Sequence, residues 1–312
     1  MKTVGIIGGS GFIGSYNTQK FLQEGYKVIV STTDISNKEK YAHLLSLANA
    51  ENLEIVPLNL EHKAGLAEFL QGCNIVIHGG TPFQLDVKDV QAELFDPTIK
   101  GTENFLEEVA TTPGIEKVVF IASVAAFNTN FPLLPEGKAE GDQISENDPP
   151  FMSEQGHPYA QAKFIANQVV EKFIADHPAL SFEITSVAPV GVMGKSLSNR
   201  QDSTSTGIQF LFKNKIAPNP FIQMLYDMDL LWALVDVEDV ADAIYKAATT
   251  LNLHGKNYLL SSESYRISDI TLMLNNQAPA GKPVVVYNVD LAKHDLGISF
   301  KPVSVPLNNY AS

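Results

Sequence analysis

Three residues in the middle of the chain have the types and spacing needed to move a proton. Tyr159 and Lys163 stand four apart in PYAQAKFIAN, a stretch of helical period, so both side chains leave one face of a helix. A phenol, with an ordinary pKa of about 10, exchanges protons near neutrality only where a cation favours its phenolate; Lys163 supplies that cation. Ser123 directly follows the apolar run KVVFIA, where its hydroxyl could hold a carbonyl oxygen while Tyr159 protonates it. Taken singly, such residues are common; their meaning depends on what positions them.

That framework begins at the amino terminus, with VGIIGGSGFIGS. Gly8, Gly11 and Gly14 make GxxGxxG, and Gly9, Gly11 and Gly14 make GxGxxG, directly after a short apolar run and before a helical one. Bare backbone at a strand-to-helix turn is a cradle for the pyrophosphate of a dinucleotide. Asp34, 20 positions past Gly14, stands where a carboxylate accepts the adenine ribose hydroxyls, but Lys38 and Lys40 follow and could neutralise a ribose 2′-phosphate. These residues leave NAD and NADP both open.

Short β-rich runs at 3–7, 27–32, 53–57, 75–78, 118–122 and 182–188 alternate with helical patterns at 14–24, 38–48, 63–70, 96–110 and 158–176. This predicts an α/β fold, a doubly wound parallel Rossmann sheet that binds ligands at the carboxyl ends of its strands. Residues 1–188 would form the nucleotide-binding domain and also receive about 235–262, where VDVEDVADAIYKAA has a clear helical period. Residues 189–312 would form a smaller, interleaved substrate lobe. Residues 128–156, rich in Pro, Gly, Asn and acidic residues, read as a long loop.

Composition narrows the partners. Of 312 residues, 22 are Lys or Arg and 35 Asp or Glu; the formal charge of −13 repels nucleic acid and anionic membranes. The apolar stretches at 118–127 and 187–193 are too short to span a bilayer. With the first strand beginning by Thr3 or Val4 and a single cysteine, Cys73, read as a buried apolar residue, the expected compartment is the cytoplasm. The seven histidines lack ligand spacing, so no metal is expected; His157 reads as a helix-cap or loop residue.

Glycine loop, serine and YxxxK together resemble the extended short-chain dehydrogenase/reductase (NAD-dependent epimerase/dehydratase) superfamily. Within it GFIGS, HGGTPF, NKEK, GTENFLEEV and LGISFKP resemble the dihydroflavonol reductase, cinnamoyl-CoA reductase and aldehyde reductase group. The 36-residue step from Ser123 to Tyr159 also suits that group better than the sugar epimerases. The resemblance implies an NAD(P)H-dependent carbonyl reductase with Ser123, Tyr159 and Lys163 as catalytic residues. Asn104 would support a water-linked proton relay to the lysine. It places the cofactor against Gly8, Ser10, Gly11, Phe12, Ile13 and Gly14, then Thr33, Asp34, Lys40, Asn59 and Leu60. Gly79, Gly80, Thr81, Tyr159, Lys163, Pro189 and Val192 complete that set. NADP(H) is favoured over NAD(H), and the resemblance allows a homodimer.

Some positions depart from the pattern. Thr33 stands where NADP-using relatives often carry arginine, Asn59 replaces an acidic residue, and the chain reaches FKPVSVPL without the final amphipathic helix of many relatives. Phe83, Phe127, Phe131, Met193, Phe212 and Trp232 are expected near the nicotinamide, which favours an apolar or aromatic carbonyl substrate. The competing functions are a nucleotide-sugar epimerase or dehydratase with tightly bound NAD, and a non-enzymatic NAD(P) sensor.

Overall fold

The computed structural model describes residues 1–60, 62–79, 89–200 and 203–311. Its centre is a seven-stranded, all-parallel sheet built from β1 (Thr3–Ile7), β2 (Lys27–Thr32), β3 (Leu53–Pro57), β4 (Ile75–His78), β5 (Lys117–Ile121), β6 (Glu183–Pro189) and β9 (Asn257–Leu260). The strand order is β3-β2-β1-β4-β5-β6-β9. All the pairings are parallel. The order reverses between β1 and β4, the crevice where such sheets take ligands. The doubly wound sheet is therefore as expected, with a seventh strand at its edge.

Alternating side chains along the strands divide the apolar residues between the two faces. Val4, Ile6, Val28, Val30, Ile75 and Ile77 join the core under α1 (Phe12–Gln23) and, across the sheet, α7 (Val237–Thr249). Ile7, Val76, Val118 and Phe120 join the core under α2 (Lys63–Leu70), α3 (Asp96–Thr111) and α4 (Pro158–Asp176). Cys73 belongs to this second face. A Cβ on Gly5 would lie 2.9 Å from its sulfur, so the glycine makes room for the thiol. Burial raises that thiol to about 11.

A three-stranded sheet in the order β10-β8-β7 joins β7 (Gly191–Met193), β8 (Leu231–Asp236) and β10 (Glu263–Arg266). Its core is shared with α5 (Thr204–Asn214), α6 (Pro220–Asp227) and α8 (Ile267–Leu274). After α9 (Asp290–Leu296) the chain ends in α10 (Ser304–Ala311), so a final helix is present, contrary to the sequence reading. Leu307 of α10 and the preceding Val303 are buried in this core. Lys301 pins the approach, its ammonium bonding Asp236 at 3.2 Å and Glu238 at 2.5 Å.

One other expectation needs revision. The helix expected over 38–48 is instead two 3₁₀ turns, Lys38–Lys40 and Leu44–Ser46. Its inward apolar residues, Tyr41, Leu44 and Leu47, recur every three residues, the 3₁₀ period. The long loop at 128–156 has little regular structure but is held firmly. Ile144 is 2 % exposed, and its amide donates to Val286 O at 2.8 Å. Among the described residues no helix is long and apolar enough to cross a membrane.

At the amino end of the sheet, the buried Lys117 pairs with Glu183 and donates to Thr250 O at 2.9 Å. Glu183 also accepts from the Asn252 amide at 2.8 Å. Burial lowers the lysine pKa, while the lysine holds the carboxylate below its ordinary range against the opposing effect of burial. Removing only the carboxylate would strand a buried ammonium. Glu183→Ala should therefore cost about 3–5 kcal/mol in urea unfolding, and Lys117→Met distinctly less.

Candidate active site

β1 ends at Ile7, and Gly8 turns the chain with φ +78°, a conformation suited to glycine. The Gly11 amide donates to Gly8 O at 3.0 Å, and α1 starts at Phe12 with no side-chain cap over its first amides. A Cβ on Gly14 would sit 2.0 Å from Gly8 O, and one on Gly9 2.8 Å from Val30. The loop and helix can cross this closely only without side chains. The uncapped amides and bare loop fit an anionic pyrophosphate. Ser10 and Ile13 are half-buried, and Phe12 packs into the core against Tyr16.

At the end of β2, the Asp34 carboxylate accepts from the Ser36 amide at 2.9 Å and the Ser36 hydroxyl at 2.6 Å. These bonds, the hydroxyl's first, hold Asp34 below the usual carboxylate range. Lys40 Nζ donates to Thr33 Oγ1 at 2.9 Å, putting a cation where the sequence lacks arginine. Past β3, Asn59 is exposed, whereas Leu60 packs toward the α2 face. Gly79 follows β4; a Cβ there would lie 3.0 Å from Ile7 O. Gly80, Thr81 and Phe83 fall outside the described residues.

Sequence spacing gave no sign of the residues bracing this edge. Ser15 Oγ donates to Gly11 O at 2.6 Å and lies 2.8 Å from His43 Nε2. Tyr16 donates to Lys195 O at 2.7 Å, and Arg200 to Lys40 O at 2.9 Å. A segment after β7 is thereby tied to the nucleotide-binding half.

Ser123 stands two residues past the end of β5, which lies next to β4 in the sheet. Its Oγ accepts from the Ala125 amide at 3.2 Å, leaving the hydroxyl proton to donate. The turn it caps, Val124–Ala126, packs against α4. Pro158 opens α4, and His157 is its cap, with Nδ1 accepting from the Tyr159 amide at 3.2 Å. Tyr159 and Lys163 lie on the first turns of this helix, with Nζ 6.0 Å from the Tyr159 ring centroid. Asn104 is buried in α3, which packs along α4.

The electrostatics differ from the sequence expectation. Burial raises the Tyr159 phenol to about 12 and lowers the Lys163 ammonium to about 8. The expected depression of the phenol by lysine is therefore absent, since desolvation governs both groups. The Tyr159 phenol is held protonated at neutral pH.

The proposed lining also changes. Phe212, Met193 and Trp232 lie in the core of the three-stranded sheet, and Phe127 is buried in the main core. Phe131, half-buried with its centroid 4.9 Å from that of Trp232, is the member of the set with accessible surface among the described residues. Pro189 ends β6, and Val192 is buried in the main core. Among the described residues no group of three or more His, Cys, Asp or Glu could hold a metal.

A profile of the NAD dependent epimerase/dehydratase family matches residues 4–261, spanning the glycine cradle, Ser123, α4 and β9. The chain belongs to this family. Among curated relatives, a cinnamoyl-CoA reductase of Medicago truncatula is 28% identical over 98% of this chain and 93% of its own length. An anthocyanidin reductase of Vitis vinifera is 26% identical over 90% of this chain and 82% of its own. Among solved structures, Gre2 of Candida albicans in complex with NADPH has a TM-score of 0.82 at 22% identity, covering 99% of this chain and 97% of that one. The family's dinucleotide fits the glycine cradle described above.

Two outcomes follow from this geometry. Gly14→Ala forces the helix off the Gly8 carbonyl and should weaken dinucleotide binding by tenfold or more, about 1.4 kcal/mol per tenfold, as read by nicotinamide fluorescence. Lys163, at about 8 when folded against an ordinary 10.5, binds fewer protons than in the unfolded chain between those values. Stability therefore rises with pH across that window, and the cost of the buried ammonium is full below it. Lys163→Met should raise Tm at pH 7, with the difference closing toward pH 10.5 in a thermal-shift series.

Proposed function

We propose that the protein is an NADPH-dependent reductase that converts an aldehyde or ketone, of apolar or aromatic character, to the alcohol. The observation that carries this reading is the position of Ser123 and the Tyr159–Lys163 pair. Ser123 follows a strand that neighbours β4, the two strands reaching the same sheet edge as the glycine cradle, and its turn packs on the helix bearing the pair. The names of the reductase relatives agree with it.

A bound nicotinamide would supply hydride to the carbonyl carbon. Ser123 Oγ, its lone pair engaged by the Ala125 amide, donates its proton toward the carbonyl oxygen. Tyr159, protonated throughout the neutral range, gives that oxygen its proton, and Lys163 balances the phenolate left behind. Asn104, on the adjoining helix, is assigned the supporting relay position. Phe131 would offer an apolar wall to the substrate.

Lys40 on Thr33, with Asp34 already engaged by Ser36, favours a 2′-phosphate and hence NADPH. The second reading, a nucleotide-sugar epimerase or dehydratase with retained NAD, draws on Asp34 and on the missing arginine at Thr33. Titration with NADPH and NADH separates the two: tighter NADPH supports the reductase, and tighter NADH with copurifying cofactor supports the alternative. Tyr159→Phe should lower carbonyl turnover about 10²–10⁴-fold with NADPH affinity nearly unchanged. Undiminished turnover in that variant would remove Tyr159 from its role.

A further inference from the structure

Beside Lys163 lies a narrow, partly open recess of about 30 Å³, lined by His78, Thr102, Phe120, Lys163 and Asn167 among others, room for one or two waters. It lies between β4, β5, α3 and α4. His78, the last residue of β4, is 6 % exposed and wedged between Phe105 and Phe120, with ring centroids 4.5 and 5.0 Å away. Its Nε2 is fully buried and has no hydrogen-bond partner among the described residues. A buried polar atom left in this condition is destabilising, so a partner is expected.

The donors and acceptors around the cavity identify that partner. Burial first, then the Lys163 charge, lower His78 to about 3, so the ring is neutral at working pH; a bond to its own backbone occupies one nitrogen. Nε2 is then an acceptor. Thr102 Oγ1 donates to Thr98 O at 2.8 Å and keeps lone pairs to accept. Asn167 is already engaged, donating to Glu171 at 2.8 Å and accepting from Asn257 at 2.9 Å. Lys163 brings only donors, and among the described residues no carboxylate lines the space. Among the described residues, the titratable groups around the ammonium are His78 on β4 and Tyr159 on α4; the lining from α3 and β5 is uncharged.

We propose that a water in this cavity accepts from Lys163 Nζ and donates to His78 Nε2 and Thr102 Oγ1, making His78 a positioning residue for the ammonium of the active site. Three bonds are the usual number for a buried water. The role of His78 rests on the reading of Lys163 as the site's cation; the water itself does not. His78 therefore acts through Lys163 without touching substrate or cofactor.

The test pairs two variants with one structure. His78→Phe fills the space between the flanking rings but removes the acceptor; His78→Gln restores an acceptor at similar reach. The phenylalanine variant should lose about tenfold to a hundredfold in kcat, with KM for NADPH little changed, and its alkaline limb should move to lower pH. The glutamine variant should recover most of kcat and the limb. Equal losses in both variants, or wild-type behaviour in the phenylalanine variant, would overturn the assignment. A high-resolution crystal structure of the wild-type protein should show density within hydrogen-bond distance of both Nζ and Nε2, and an empty cavity would overturn it even if a variant fails to fold. If density is present but the wild type reduces no carbonyl compound, the proposed reaction fails while the water stands.

Discussion

The contact between the Gly8 carbonyl and the Cα of Gly14 governs the geometry of this half of the molecule. Because α1 crosses the loop without a side chain between them, the helix starts at the sheet's edge and its first amides remain uncapped. Phe12, Tyr16, Phe21 and Leu22 can then reach the strand residues Val4, Ile6, Val28 and Val30 as one apolar layer. Moving the helix out by the width of a methyl group would separate the anion cradle from that layer. Binding geometry and core packing at the amino terminus share one steric constraint.

A different balance applies across the sheet. The residues that would move protons are on α4, a helix packed against apolar strands, and the Tyr159 and Lys163 groups are displaced in opposite directions by loss of water. The site holds a neutral phenol and a reluctantly charged amine. Lys117 shows the other solution to the same problem: a buried ammonium with a carboxylate partner and a backbone carbonyl. Among the described residues Lys163 has no such acid beside it, and burial lowers its ammonium to about 8.

Legibility in the sequence follows the range of the forces involved. Strands 3–7, 27–32, 53–57 and 75–78 match their observed bounds because each is a short, largely apolar run, mostly β-branched in all but 53–57, ended by Gly, Pro or polar residues. The glycine cradle and the YxxxK pair were legible for the same reason, being defined by spacing within one turn or helix. The 38–48 segment was misread because apolar residues three apart fit a helix nearly as well as 3₁₀ turns. Met193 and Phe212 were misplaced since composition cannot separate a pocket wall from the core of a small sheet assembled from distant segments. The bracing of Ser15 by His43, and of Lys40 by Arg200 160 residues away, left no pattern to read.

Cys73 has its sulfur in the space left by Gly5, donating to Phe69 O at 3.4 Å beneath the second-face core. Burial raises the thiol to about 11, so it stays protonated at neutral pH, and the sulfur is screened from solvent. Alkylation must wait until α2 lifts from β1, so its rate measures how often that layer opens. The chain thus contains a single intrinsic clock for the breathing of the sheet behind its nucleotide cradle.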